Sequence, residues 1–391
     1  MRGTFFFLLL FAAAADSQQP STADQAMAQT QHSSRDGFMR GGMHHLIAKG
    51  ITLDTKSDAA SHTITLRIGP MNLPANTSHM KMPQPADLVW TLPMNGWLLA
   101  YHPKLVDAAG NSVPGTVLHH VAFWNEDRSD FLCPNKEEHI FGAGGELTDW
   151  AAIPGFGYRV EKGDRIRIET MVHNPTATSY DKVFLEVAIP YLDDGSPAPV
   201  KNVFPTWIDV NVCGNSSYDL PPGPSKKVGT VPIKYSGILL GVGGHMHDYG
   251  QQLTLENAKA IAAKTQAPPV DIAKTQASKT ERLEPFSPQT SGEKKPVAVL
   301  PAKSDEQGHL LGIPVVTFFQ TGGYPLAVHD KLTVTASYNN PTGKILRDGA
   351  MGIVVGYFVP ADPAALNSLR HRARSPAHNT PHDMDHMSHD R

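Results

Sequence analysis

The sequence is short of cysteine, of charge and of long apolar runs. Only Cys133 and Cys213 occur in 391 residues. Two thiols are too few for a zinc ribbon or an iron–sulfur cluster. They leave open either one disulfide or two free thiols. Charged residues make up 18% and the net charge is −3, so no basic field exists to hold nucleic acid or an anionic membrane. The one notable apolar run, Phe5–Ala15, follows Arg2 at the N-terminus and is too short to span a bilayer. It reads as a secretory signal over 1–17, which predicts a secreted or periplasmic protein with no membrane span after cleavage. A sustained helical period is also missing.

What is abundant is turn chemistry, with 33 glycines and 32 prolines, and histidine, with 19. Segments HTITLRI (62–68), GTVLHHVAFW (115–124), DRIRIETMVH (164–173) and KVFLEVAIPYL (182–192) alternate or are β-branched, and Gly, Pro, Asn and Asp separate them. The fold class expected is all-β, in sandwiches or barrels.

The pattern recurs. Asp164, Ile166, Ile168, Asn174, Pro175 and Thr176 fall on Asp330, Leu332, Val334, Asn340, Pro341 and Thr342, at a constant offset of 166 residues. A strand with paired histidines lies upstream of each copy, LHHVAFW (118–124) and GGHMHDYGQQL (243–253). The second copy carries a low-complexity stretch, 257–308, with AKTQA written twice, which reads as an inserted surface loop. The organisation predicted is a flexible lead-in (18–43), a first β-sandwich (44–196), a second related one (197–362) carrying the insertion, and a disordered His/Met-rich tail (363–391).

His119 and His120 are adjacent, so in a regular strand they face opposite ways, and both reach one ion only if the strand bends there. His173 ends a strand of the same half. Three imidazoles suit copper or zinc; one buried and one exposed histidine is the ordinary alternative. His245 and His247 share a strand face and form a natural chelate, with Gly243 and Gly244 allowing close approach of another chain. Met351 opens the last strand; such a methionine is ordinarily core, but its soft thioether would select copper.

In this order the motifs resemble the copper type II, ascorbate-dependent monooxygenases, the family of the peptidylglycine α-hydroxylating and dopamine β-type enzymes. The resemblance covers about 100–360. It implies two jelly-roll sandwiches and two coppers, one held by His119, His120 and His173, the other by His245, His247 and Met351. It implies that the second set performs oxygen chemistry on a small-molecule substrate while the first stores an electron from ascorbate or another reductant. In some relatives the third ligand of the first set lies at the position of Met171, which shares a strand face with His173. The substrate-carboxylate arginine of the amidating enzymes is replaced by Gly243, and an Asn and a Tyr after the methionine by Ile353 and Val355, so a peptidylglycine substrate is not supported. A non-catalytic exported copper-binding protein is the competing expectation. A cupin would need a glutamate soon after His247, and a multicopper oxidase would need histidines beside a cysteine; neither is present.

Overall fold

The structure, a computed structural model, describes residues 46–147, 149–196, 200–258 and 296–370. The expected signal, the lead-in, the core of the insertion (259–295) and the tail from 371 lie outside the described residues. The described chain is almost entirely strand. In order, the strands are β1 (Thr52–Asp58), β2 (Thr63–Leu73), β3 (Leu88–Thr91), β4 (Gly96–Leu98), β5 (His102–Val106), β6 (Leu118–Ser129), β7 (Glu137–Gly144), β8 (Phe156–Val160), β9 (Arg165–Val172), β10 (Tyr180–Asp193) and β11 (Lys201–Asp209). The second half adds β12 (Tyr218–Leu220), β13 (Gly223–Pro232), β14 (Gly237–Met246), β15 (Gly250–Ala258), β16 (Ala298–Pro301), β17 (Lys303–Ser304), β18 (Leu310–Gly312), β19 (Val316–Thr317), β20 (Tyr324–Leu326), β21 (Lys331–Asn340), β22 (Leu346–Ala350) and β23 (Gly352–Pro360).

Pairing between these strands is antiparallel except for β8 against β11. Two four-stranded sheets, β3-β9-β6-β7 and β13-β21-β15-β16, flank one eleven-stranded sheet whose path runs β1-β2-β10-β4-β8-β11-β23-β14-β19. That large sheet passes through the expected boundary near residue 196 without a break. β21 shows the half-buried alternation its sequence calls for, with Leu332, Val334, Ala336 and Tyr338 inward. β9 is covered on both faces, which is why RIRIETMV is buried almost throughout despite its charges.

The apolar core forms two large clusters, one around Leu66, Phe123, Ile166 and Val187, the other around Ile208, Leu253, Val334 and Phe358. Phe131 and Leu132, from the β6–β7 loop, belong to the second. A Cys133–Cys213 disulfide fastens that loop there, deciding between the two states the sequence left open.

The internal likeness repeats atom by atom. Asn174 donates to the Thr178 carbonyl and Asn340 to the Lys344 carbonyl, both at 2.8 Å, and each accepts from the threonine amide two residues on at 3.0 Å. Asp164 and Asp330 likewise accept from the amide three residues before them, at 3.0 and 3.1 Å.

Two expectations need correction. The ends of the predicted loop 257–308 are strands: β15 runs to Ala258 and pairs with β16, Leu255 opposite Ala298, because both flanks offer alternating apolar residues to the second core. The first residues of the predicted disordered tail, Pro363–Arg370, form a 3-10 helix with Leu366 fully buried, since that leucine finds an apolar seat.

Candidate metal centre

Strand β6 carries the His-His pair. Parity alone would separate the two rings, but β6 slips against β9: Leu118 lies opposite Val172 and His120 opposite Met171, so His119 is an extra residue in the ladder. A bulge of this kind re-aims a side chain, and both rings turn toward β14. The ring centroid of His119 lies 4.4 Å from that of His247 and 5.1 Å from those of His120 and His173.

His245 sits on β14 opposite Ile353, and His247 follows the strand's end, its amide donating to the Tyr338 hydroxyl at 2.9 Å. Gly144, at the end of β7, leaves the room His245 uses: a Cβ there would stand 2.7 Å from the His245 ring. Gly244 does need its missing side chain, with Leu253 at 2.4 Å from a would-be Cβ, whereas Gly243 has ordinary room.

The ligand motifs lead one to expect two separate centres. The histidines instead form one continuous array. Candidate ligand atoms of His119, His120 and His247 lie within 4.8 Å of one another, and so do those of His79, His119 and His173, making His119 common to both groups. His245 is the next ring along, 5.4 Å from His247 and 6.4 Å from His120. Met351 is buried and belongs to an apolar cluster with Trp124, Trp207, Ile353 and Val355. Two turns of the β14–β23 ladder show the face: His245 pairs with Ile353 and Gly243 with Val355. Met351 thus shares a sheet face with His245 and His247. Met171, the alternative to His173, is buried opposite His120, and His173 is the one grouped with other imidazoles.

Burial holds the His119 and His247 imidazoles well below their usual range, and neighbouring imidazoles add to it. Burial brings His173 down to about 4. The rings are therefore neutral near pH 7, the form in which nitrogen lone pairs bind a metal. Neither ring nitrogen of His247 has a hydrogen-bond partner among the described residues. A buried polar atom left so is costly unless something coordinates it, and several neutral imidazoles are a donor set that copper or zinc satisfies.

Glu146 closes one side of the array. Burial pushes its carboxyl up, but the hydrogen bond and charge of His245 outweigh this and leave it below its usual range. The carboxylate approaches His245 Nδ1 at 3.5 Å and accepts from the Gly144 amide at 2.8 Å. Such a partner fixes a ligand's orientation.

The array forms a wall between two cavities. One, of about 350 Å³, is of mixed character and lined by His119, Glu146, His173, His245, His247 and His309. The other, of about 340 Å³, is lined by His120, Ala143, Trp150, Trp207, His245 and Val355 and is mostly apolar. His245 faces both.

Several residues escape sequence reasoning. His79 and His309 are lone histidines in loops with no chelating spacing. His139 is a core histidine, packed between Trp124 and Trp207 with ring centroids 4.5 and 3.5 Å away.

No family model matches this chain. A probable copper-dependent oxygenase, M1, of Phoma sp. (strain ATCC 20986 / MF5453) is 26% identical over 148 residues, covering 34% of this chain. The match spans 36% of that protein's length, so it concerns about a third of each chain. An all-β chain with clustered histidines is thus distantly similar to a copper oxygenase.

Proposed function

We propose that this chain is an exported copper-dependent monooxygenase that hydroxylates a C–H bond of a small substrate. The observation that carries it is the array of buried and half-buried imidazoles set beside an apolar cavity; the similarity to a probable copper-dependent oxygenase supports it. His119, His120, His173, His245, His247 and Met351 are the proposed copper ligands, in two sets, with oxygen chemistry at the His245/His247/Met351 end. The two-sandwich organisation, 44–196 and 197–362, is kept as part of the same proposal.

Copper bound there would cycle between its two oxidation states and activate dioxygen. The chain's own residues do the rest. His119, His173 and His247, neutral near pH 7, hold the ion without a proton to expel, and Glu146 fixes the His245 ring. Trp150, Trp207, Ala143 and Val355 exclude water and favour an apolar C–H group against His120 and His245. The balance is one C–H and one O2, with two electrons and two protons, giving C–OH and water. Ascorbate, or another reductant of that class, supplies the electrons.

The test is oxygen uptake by copper-loaded protein with ascorbate and a panel of small apolar substrates. His247→Ala should abolish substrate-dependent uptake; a wild type with no such uptake across the panel would sink the reading. The runner-up is copper binding without catalysis, favoured by the apolar Ile353 and Val355 on the cluster that holds Met351. Met351→Ile separates the two: an enzyme loses turnover with modest loss of copper, whereas in a binding protein any change tracks bound metal.

A further inference from the structure

His79 stands alone in the loop NTSHMKMPQP, without a second ligand nearby in sequence. The fold nevertheless lays it on His119. The two rings stack with centroids 4.4 Å apart and planes 7° apart, and ligand atoms of His79, His119 and His173 lie within 4.8 Å of one another. All three are half-buried, whereas His120 and His247 are buried. We propose that His79 is a metal ligand and that His79, His119 and His173 form a copper position of their own on the solvent side of the array, with His120 joining His247 in the inner one. This rests on the reading of the chain as a copper protein, not on its being an oxygenase.

The loop is built to hold His79 there. Gln84 is fully buried. Its side-chain amide donates to the His79 carbonyl at 3.0 Å and to the Val172 carbonyl at 2.9 Å, while its oxygen accepts from the Val172 amide at 2.7 Å. One buried side chain thereby ties His79 to the residue that precedes His173. Beyond both histidines, Thr77 and Asn174 exchange backbone hydrogen bonds, each of 2.8 Å. His79 and His173 are therefore pinned from both flanks to one end of β9. A buried amide is tolerated only when its bonds are made, and here those bonds are spent on bringing two distant imidazoles together.

The donor chemistry fits the same conclusion. Three imidazoles suit copper in either oxidation state, or zinc. His119 and His173 open onto the histidine-lined cavity, which gives an ion from solvent a route to this position that does not cross the core. The inner group borders the same cavity through His247, while His120 lines the apolar one. The sharing of His119 by both groups follows directly from the bulge in β6.

The test uses the full chain, with Cu(II) counted per chain and Cu(I) titrated against a chromophoric chelator. His79→Gln should weaken one class of copper by about tenfold or more, while the metal-free variant melts as the wild type does. The Cu(II) electron paramagnetic resonance spectrum should lose one nitrogen coupling. Free imidazole should restore binding to His79→Ala, marking the ring itself as the ligand. Equal copper stoichiometry and affinity in His79→Gln and wild type would overturn the proposal. So would a lowered metal-free melt with copper binding unchanged, because that is a structural role. A wild type that binds copper through His79 yet consumes no oxygen keeps this proposal and ends the oxygenase reading. Oxygen uptake with His79→Gln binding copper normally does the reverse.

Discussion

The buried hydroxyl of Tyr338 receives the His247 amide at 2.9 Å. The same oxygen accepts from the Met351 amide at 3.1 Å, and the hydroxyl donates to the Met351 carbonyl. One phenol therefore joins the end of β14 to the start of β23, tying the backbone at His247 to the backbone at Met351. Tyr338→Phe leaves two buried amides without this acceptor, which costs about 2 kcal/mol. Denaturant unfolding should show that loss, and copper should be retained less well against a chelator. A variant equal to wild type in both would remove this role from Tyr338.

Gly144 is a close-approach position. An added Cβ would meet the Glu146 carboxylate at 2.6 Å, the His245 ring at 2.7 Å and the His119 carbonyl at 3.1 Å. Gly144→Ala must displace one of these groups, at a cost of about 1–3 kcal/mol. Copper affinity should fall along with stability, read by chelator competition on protein that remains folded. Gly243→Ala, whose added Cβ would make only ordinary contact with Val315 at 3.4 Å, is the control and should change neither.

Asn174 and Asn340 make equivalent turns at equivalent places in the two halves. Each side chain satisfies carbonyls on two chain segments and caps its own turn. Replacing either by alanine should cost about 2–3 kcal/mol, similarly in both, as measured by chemical denaturation. A large loss at one and none at the other would show that the two turns carry unequal load.

The Cys133–Cys213 bridge closes a span of 80 residues. Restricting the unfolded chain over such a loop is worth about 4 kcal/mol. The double serine variant should lose an amount of that order, with the β6–β7 loop first to lose hydrogen-exchange protection.

Asp130 accepts from the Leu132 and Cys133 amides at 2.8 and 2.7 Å, yet burial pushes its carboxyl up to about 7. Between the usual aspartate value near 4 and 7, the folded chain binds more protons than the unfolded one, so this group lowers stability as pH rises, by up to about 1.4 kcal/mol per pH unit. Above 7 the cost is constant, and below 4 it is absent. Asp130→Asn keeps the acceptor and removes the charge. Its stability relative to wild type should therefore climb from pH 4 to 7 and then level; a flat difference across that range would contradict the shift.

Much of the architecture was legible in one dimension. β21 alternates as a half-buried strand must, and the Asn-Pro turns after β9 and β21 recur at a fixed spacing because the same side-chain bonds close both. The pairing of two cysteines 80 residues apart was open, since no local rule joins them. The strands flanking 259–295 were hidden by the low complexity between them. Leu366 shows the same limit: one leucine in a polar tail gives no period, and only the cavity it fills makes it structural.

At the site, sequence singled out histidines with neighbours and overlooked those without. His119-His120 and His245-x-His247 announce themselves by spacing. The slip of β6 against β9 does not, because register depends on the partner strand and not on the strand itself. That slip turns His119 and His120 to the same side, which their parity forbids.

The residues by themselves determined that this chain folds into sheets, and that paired imidazoles sit in or beside two of its strands. Only the tertiary structure decided that those imidazoles meet in one array, that a lone loop histidine joins them, and that two cavities border it. The reason is physical. Alternation and turn chemistry act over a few residues, whereas a bulge, a buried glutamine and a cross-strand phenol act between segments that only folding brings together.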